Sequence, residues 1–207
     1  MKFIWIATLI AAPAVAEELR MTVYDGAGLP AAIRAEAADS LGRIFRLAGV
    51  NVIWVDGDLG DEESSRVYFT EPARKGRELA AGCAARREIA LKIHPSAAAG
   101  IPPAVLGMAH PMVHGGLNVQ VFYDRVGRTA SRQNARIGTI LAHVIGHEIG
   151  HVLLRSNDHE PGGIMSSRWI DSDYRVMSGS GLLFRKPETE RIRRTLSGAG
   201  CAVLSSR

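Results

Sequence analysis

Two histidines and a glutamate form the most chemically informative pattern in the sequence. Residues 147–151 read His-Glu-Ile-Gly-His, within an apolar segment that is typical of a helix. Side chains four residues apart lie on one face of a helix, so His147 and His151 can bind the same ion from a rigid element. The carboxylate of Glu148 then points to the neighbouring sector, close enough to contact a water bound to that ion. The pattern indicates a metal-dependent hydrolytic site.

Zinc is the ion whose chemistry explains this arrangement. With three protein ligands and one open position, it polarises a carbonyl group and lowers the pKa of its bound water. A neighbouring carboxylate accepts the proton of that water and passes it to the leaving amine. We therefore predict one catalytic Zn²⁺, with His147 and His151 as ligands and Glu148 as the general base.

The third ligand must come from outside the five-residue motif. His159 follows His147 by twelve residues, and Asp158 stands directly before it as the competing donor. Histidine is the more usual zinc ligand, so the sequence favours His159. Six residues further on, Met165 comes directly after a Pro-Gly-Gly-Ile segment with the character of a tight turn. This methionine is predicted to lie beneath the metal site.

Four other histidines have simpler interpretations. His143 lies one helical turn before the motif, but a valine follows it where the base would stand. We therefore predict that His143 is packed in the core or supports a ligand. His94, His110 and His114 fall in loops or at strand ends, where solvated or hydrogen-bonded roles are expected.

The surrounding pattern predicts alternating strands and helices. A strand at 19–24, a helix from Pro30 to about 48 and a strand at 50–55 form a β-α-β unit, which implies parallel strands and a right-handed crossover. The motif falls in a helix that begins at Thr129 or Ser131 and continues to about 154. The remaining predicted elements are strands at 66–70, 88–93 and 118–123, a long loop at 95–116 and a final helix at 187–196.

Residues 147–154, together with His159 and Met165, resemble the metzincin zinc metallopeptidases, and most closely the matrixins. Residues 106–111, 115–116 and 121–124 are also similar to the edge-strand region of matrixins. The resemblance implies an α+β, zincin/metzincin-like fold: a mixed, mostly parallel twisted sheet, an N-terminal crossover helix, a long active-site helix carrying the motif and a C-terminal helix. It also implies His147, His151 and His159 as zinc ligands, Glu148 as general base and Met165 as the Met-turn residue.

The sequence departs from the matrixin pattern in two places. The glycine that the family has three residues after the second histidine is replaced by Leu154, and the third histidine comes twelve residues after the first instead of ten. The chain must then bend later, and Asn157 is the predicted position because asparagine tolerates the left-handed conformation. The cysteine-bearing propeptide motif of the family is absent from the sequence.

The N-terminus has the pattern of a secretory signal peptide. Lys2 precedes an apolar run, and Ala-Val-Ala at 14–16 stands directly before two glutamates. Cleavage after Ala16 is predicted, which leaves residues 17–207 as a single metzincin-like catalytic domain, secreted or periplasmic. Export would place Cys83 and Cys201 in an oxidising compartment, where they form one disulfide or remain two buried thiols.

Composition excludes several other classes of protein. Of 207 residues, 46% are hydrophobic and 22% charged, which suits a folded domain and excludes a disordered chain. No uninterrupted apolar run approaches the length of about 18 residues that a membrane span needs. The formal net charge of +4 is spread along the chain, so no nucleic-acid partner is expected.

The leading hypothesis is a secreted zinc-dependent endopeptidase. It would hydrolyse peptide bonds with a metal-activated water and the general base Glu148, act on a peptide or protein substrate, and be a monomer. One alternative is a zinc hydrolase acting on cell-wall peptides or small amides. A third hypothesis is a secreted metal-binding or partner-binding module that has a metzincin-like fold without catalysis. The sequence leaves cleavage preference and calcium sites open.

Overall fold

The computed structural model describes residues 17–57, 88–110 and 117–197. The predicted signal peptide, the predicted strand at 66–70, His114, Cys83 and Cys201 lie outside these residues. The elements in chain order are β1 (Glu17–Asp25), α1 (Ala31–Leu47), β2 (Val50–Asp56), β3 (Glu88–His94), β4 (Gly107–His110), β5 (Leu117–Phe122), α2 (Tyr123–Arg132), α3 (Ile137–Leu154), α4 (Asp171–Ser178) and α5 (Lys186–Leu196).

A five-stranded sheet with the order β2-β1-β3-β5-β4 forms the base of the fold. The pairs β1–β2, β1–β3 and β3–β5 are parallel, and β4 pairs antiparallel with β5 at the edge of the sheet. Alternating apolar side chains of β1 face the core, where Leu19, Met21 and Val23 are buried. The predicted mixed, mostly parallel sheet is therefore confirmed.

Helix α1 connects the neighbouring parallel strands β1 and β2, as the sequence predicts. The carboxylate of Asp25 accepts hydrogen bonds from the backbone N–H groups of Ala27 (3.1 Å) and Leu29 (2.7 Å), which turns the chain toward the helix. After the helix, Gly49 has a φ of +74°, a conformation that favours glycine. These two turns fix where the helix begins and ends.

Helix α3 is buried along nearly its whole length and forms the centre of the core. Its first turn is fixed to α1 through Glu36, which accepts hydrogen bonds from the Thr139 hydroxyl and the Arg136 guanidinium, both at 2.8 Å. Among the helices of the described residues, α3 alone is long and apolar enough to cross a membrane. Since 89% of that span is buried inside the fold, core packing accounts for its hydropathy.

Two sequence-based expectations about these elements are wrong. The helix predicted from 129 or 131 to 154 is two helices, because Asn134 adopts a left-handed φ of 48° between α2 and α3. The predicted fifth strand is confirmed as β5, although it ends one residue earlier, at Phe122, because Tyr123 begins α2. The long loop predicted at 95–116 contains the edge strand β4. Helix α4 was not predicted, whereas the predicted C-terminal helix is confirmed as α5.

Candidate metal centre

Two imidazoles on α3 converge on one point. The Nε2 atoms of His147 and His151 lie 3.0 Å apart, and both side chains are buried. Each ring directs its Nδ1 at a backbone carbonyl, that of Ile164 for His147 (2.7 Å) and that of Ser156 for His151 (2.8 Å). Because a carbonyl only accepts, each Nδ1 carries the proton and each Nε2 presents a lone pair.

The surroundings of these two rings keep them neutral. Burial lowers the pKa of His147 from 6.5 to about 4, against the opposing effect of its hydrogen bond to Ile164. Burial also lowers the pKa of His151. Neutral imidazole is the form that binds a metal ion, so the pair is ready to act as ligands at neutral pH.

The loop after α3 brings His159 to the same place. Its ring centroid lies 5.3 Å from that of His147 and 4.8 Å from that of His151, and one nitrogen from each of the three rings lies within 4.8 Å of the others. Asp158 is not a member of this group. Its carboxylate accepts a hydrogen bond from the Ser156 hydroxyl at 2.7 Å.

The chain reaches His159 by bending at Arg155, so the bend predicted at Asn157 is wrong. Arg155 has φ 53° and ψ 42°, the left-handed conformation, and ends α3. The next amide, that of Ser156, folds back onto the carbonyl of His151 at 3.3 Å. Arg155 is exposed, so its side chain meets no steric obstacle while the backbone bears a cost of about 1–2 kcal/mol. This bend directs the Ser156 carbonyl toward the His151 ring.

The three imidazoles fit a zinc ion. Two nitrogens bound 2.0–2.1 Å from one tetrahedral zinc lie about 3.3 Å apart, close to the 3.0 Å between the Nε2 atoms on α3. Two lone pairs facing each other at that distance repel unless a cation or a proton lies between them. A set of neutral imidazoles suits zinc better than calcium or magnesium, which prefer oxygen.

Glu148 follows His147 on the same helical turn, and its side chain lies close to strand β4. A Cβ atom built on Gly107 would lie 2.9 Å from the backbone O of Gln120, 3.0 Å from Cγ of Glu148 and 3.1 Å from its Oε1, so a larger residue there would displace the strand or this carboxylate. Burial raises the pKa of Glu148 from 4.5 to about 8. A cation bound nearby would favour the carboxylate and lower that pKa. The group therefore titrates in the range that a general acid–base catalyst needs.

Met165 lies beneath the helix, as predicted for a residue under the site. It is fully buried, and a Cβ atom built on Gly150 would lie 2.3 Å from its sulfur and 3.0 Å from Cε1 of Phe184. Gly150 thus allows the methionine to pack directly onto the turn that carries both histidines. The turn before Met165 contains Gly163 at φ +73°.

The predicted role of His143 is confirmed. Its Nδ1–H donates to the carbonyl of Thr139 (2.7 Å), and its Nε2 accepts from the N–H of Leu182 (3.0 Å). Burial lowers its pKa to about 4, so the side chain is a neutral core histidine. His94 is hydrogen-bonded to Gln120 at 3.0 Å, also as predicted. The side chain of His110 lies outside the described part of the structure.

Trp169 is a neighbour of the site that sequence reasoning missed. Its ring stands edge-on to that of His147, with centroids 5.6 Å apart. Its Nε1–H donates to the carbonyl of Ile164 at 3.3 Å, the same carbonyl that bonds His147. The spacing of residues in the sequence does not predict a contact made through a backbone carbonyl. The one sequence feature that could have indicated this contact is a tryptophan that follows a tight turn by a few residues.

Comparison with known proteins supports the fold. No protein-family model and no curated protein matches the chain. Among solved structures, it is similar to a zinc-dependent peptidase from Methanocorpusculum labreanum (strain Z), with 14% identity, a TM-score of 0.53, and coverage of 83% of this chain and 99% of that one. At such identity the similarity shows the fold alone, an α/β fold with a mixed sheet and several helices.

Two further solved structures also match. The archaemetzincin from Methanopyrus kandleri has 18% identity, a TM-score of 0.46, and coverage of 91% of this chain and 99% of that one. The metalloproteinase-II from Bacteroides fragilis has 8% identity, a TM-score of 0.49, and coverage of 87% of this chain and 54% of that one. The resemblance to matrixins in particular is not among these findings and stays a prediction.

Proposed function

We propose that the protein is a zinc-dependent endopeptidase of the metzincin type. The observation that carries this proposal is the convergence of three imidazoles, from His147, His151 and His159, beside the buried carboxylate of Glu148. The solved structure with a similar fold is itself described as a zinc-dependent peptidase, which supports the proposal. In this interpretation Met165 is the Met-turn residue.

The residues of the chain divide the chemistry between them. The three histidines would hold a zinc ion, which supplies a polarised carbonyl and a water of lowered pKa when it is bound. Glu148 accepts the proton of the attacking water at its carboxylate and then delivers it to the departing amine nitrogen. Its burial keeps bulk water away from this transfer.

An extended peptide is the substrate that the edge of the sheet would accept. Among the strands of the described residues, β4 is the last in the sheet order and is paired with β5 on one side. A peptide can add to such an edge through main-chain hydrogen bonds. Because Gly107 of β4 contacts Glu148, a peptide on this edge would have one of its bonds beside the general base.

We also propose that the protein is exported and that residues 17–207 form the mature catalytic domain. The sequence supports this proposal, because Lys2 precedes an apolar run and Ala-Val-Ala at 14–16 stands directly before two glutamates. N-terminal sequencing of protein recovered from the periplasm and the medium tests both the cleavage and the location. A fragment that begins at Met1 in every fraction would contradict it.

Replacement of Glu148 by glutamine tests the mechanism. Glu148→Gln removes the proton acceptor but not the zinc ligands, so peptide hydrolysis should fall by at least about a hundredfold while bound zinc stays stoichiometric. The matched control is Glu190→Gln, which changes an exposed glutamate on α5 and should retain full activity. Cleavage of a fluorogenic peptide library and zinc content measure the two quantities. Undiminished hydrolysis by Glu148→Gln would overturn the mechanism.

The same assay distinguishes the two other functions that the sequence allows. Hydrolysis restricted to cell-wall peptides or small amides would favour the hydrolase with a non-protein substrate. Stoichiometric zinc without hydrolysis of any peptide or amide would favour a secreted binding module. The buried Glu148 argues for catalysis, since metal binding alone does not require it.

A further inference from the structure

Arg125 is a buried charged residue outside the candidate metal centre. Its guanidinium donates three hydrogen bonds to backbone carbonyls, from Nη1 to Pro102 (2.6 Å) and Val105 (2.6 Å) and from Nη2 to Ile101 (2.9 Å). It also lies over the ring of Phe122, 5.3 Å from the centroid. In the described part of the chain no carboxylate pairs with it. A guanidinium is retained in such a place only when many good hydrogen bonds offset its loss of water.

These bonds hold the turn that leads into the edge strand. The N–H of Val105 donates to the carbonyl of Pro102 at 3.1 Å, which closes the turn, and Arg125 donates to that same carbonyl and to the carbonyl of Val105. The next carbonyl, that of Leu106, accepts from the N–H of Phe122 at 2.9 Å. The turn therefore joins β4 directly, and its position sets where β4 starts.

Strand β4 in turn lies against the proposed general base. Its first residue, Gly107, pairs with Val121, and a Cβ atom added to it would lie 2.9 Å from the backbone O of Gln120 and 3.0 Å from Cγ of Glu148. A small displacement of β4 would therefore change the gap between the edge of the sheet and the carboxylate. Among the described residues, Arg125 forms no hydrogen bond or ion pair with Glu148, and β4 is the element that connects the turn it binds to that side chain.

We propose that Arg125 is a positioning residue for peptide hydrolysis: by clamping the turn at 102–105, it sets β4 so that a bound peptide lies in line with Glu148. This inference rests on the proposed function, because it requires the substrate to lie along β4. It requires no change in the three histidines, which belong to α3 and the loop after it.

The test uses Arg125→Lys, which keeps the charge but cannot present two nitrogens to three carbonyls. The matched control is Arg128→Lys on the same helix, where the arginine is exposed and paired with Asp124 at 3.0 Å. For a peptide long enough to cover β4, kcat/KM of Arg125→Lys should fall about tenfold or more, mainly through KM. For a dipeptide amide too short to reach along β4, it should fall less than about threefold. The zinc affinity of Arg125→Lys should equal that of the wild type. The control variant Arg128→Lys should have wild-type kcat/KM for both substrates.

Hydrogen exchange gives a readout that does not depend on activity. In Arg125→Lys the amides of Val105 and Phe122, which close the turn and tie it to β5, should exchange faster than in the wild type, while those of α3 stay protected. If Arg125→Lys does not fold, Pro103→Gly tests whether the turn positions β4. This variant loosens the same exposed turn without removing a buried charge. It should show the same dependence on substrate length, with a smaller loss.

Three results would count against these ideas in different ways. A wild-type protein that cleaves neither substrate overturns the proposed function and this inference with it. If the wild type cleaves both, an equal loss for both substrates in Arg125→Lys reduces Arg125 to a structural role and overturns the inference alone. Unchanged kinetics and unchanged exchange in the folded variant overturn it as well.

Discussion

The proposed zinc ligands belong to two regions that are held in different ways. His147 and His151 are buried on α3, and each ring is fixed by a hydrogen bond to a carbonyl. His159 is exposed on the following loop, and among the hydrogen bonds of the described residues none involves its ring. The helix thus prepares two ligands by local geometry, whereas the position of the third depends on what holds the loop.

The loop at 159–166 is held by the segment at 181–185. The N–H of Ile164 donates to the carbonyl of Leu183 at 3.0 Å, and Arg185 forms an ion pair with Glu160, the residue next to His159. Arg185 also pairs with Glu188 at the start of α5. His159 is therefore placed through its neighbour Glu160 and the segment before α5, and its ring contacts those of His147 and His151 without a hydrogen bond among the described residues.

The largest expected effect is the loss of zinc affinity when a ligand on the loop or a ligand on α3 is removed. Zinc binding by four-ligand peptides is worth about 10–16 kcal/mol, so one ligand corresponds to roughly a hundredfold to a thousandfold in affinity. His159→Ala leaves the pair on α3 intact, with its Nε2 atoms 3.0 Å apart, and should lose about that much. His151→Ala leaves ligands from two different elements and should lose about tenfold more. Competition with a chelator measures both affinities.

Asp158→Ala is the matched control for the loop. Asp158 stands next to His159 and is exposed, but its carboxylate bonds the Ser156 hydroxyl. Zinc affinity should be unchanged in this variant. A loss in Asp158→Ala as large as that in His159→Ala would make the aspartate the third ligand. Equal losses in His151→Ala and His159→Ala would remove the distinction between helix and loop.

The sequence predicted the ligands on the helix better than the path of the loop that carries the third ligand. The pair on α3 was predictable because spacing within a helix determines which side chains meet, and the unit β1-α1-β2 was predictable from its periodicity. The bend at Arg155 was not, because an arginine rarely adopts φ 53° and nothing local favours it. The residue pattern alone missed strand β4, because its four residues carry too little periodicity and its pairing with β5 is a tertiary contact. The resemblance to the edge-strand region of matrixins, by contrast, covered residues 106–111.

The second prediction concerns His143, which connects α3 to the segment that holds the loop. Burial, with a smaller contribution from the charge of Arg43, lowers its folded pKa from 6.5 to about 4. The unfolded chain then binds the proton more tightly than the folded one. The stability that His143 contributes is therefore complete above pH 6.5 and is lost as pH falls from 6.5 toward 4.

At pH 5 this loss amounts to about 2 kcal/mol, since each pKa unit corresponds to 1.36 kcal/mol. Urea unfolding of the zinc-free protein at pH 7.5 and 5.0 measures it. The wild type should lose about 2 kcal/mol more than His143→Gln, because the other histidines titrate alike in both proteins. Equal losses would show that His143 does not link the stability of the fold to pH.

The smallest expected effect tests whether the loop is held through Glu160. Arg185→Gln breaks the partly exposed ion pair with Glu160 and also the pair with Glu188, whose buried carboxylate keeps its hydrogen bond from the backbone N–H at position 185. The free energy of unfolding should therefore fall by about 1 kcal/mol. Zinc dissociation should nevertheless become up to about tenfold faster, because His159 loses a support, and residues that orient ligands matter at about this level. Arg43→Gln, which breaks an exposed pair with Asp39 on α1, is the control and should leave dissociation unchanged.

A double-mutant cycle makes this small effect decisive. If Arg185 acts on zinc only through His159, then Arg185→Gln should change the dissociation rate in the wild type but not in His159→Ala. An effect of equal size in both backgrounds would mean that Arg185 acts on the pair on α3, through Ile164 and its bond to His147. In that case the two regions are held by one shared network, and the exposed ligand is not independently positioned.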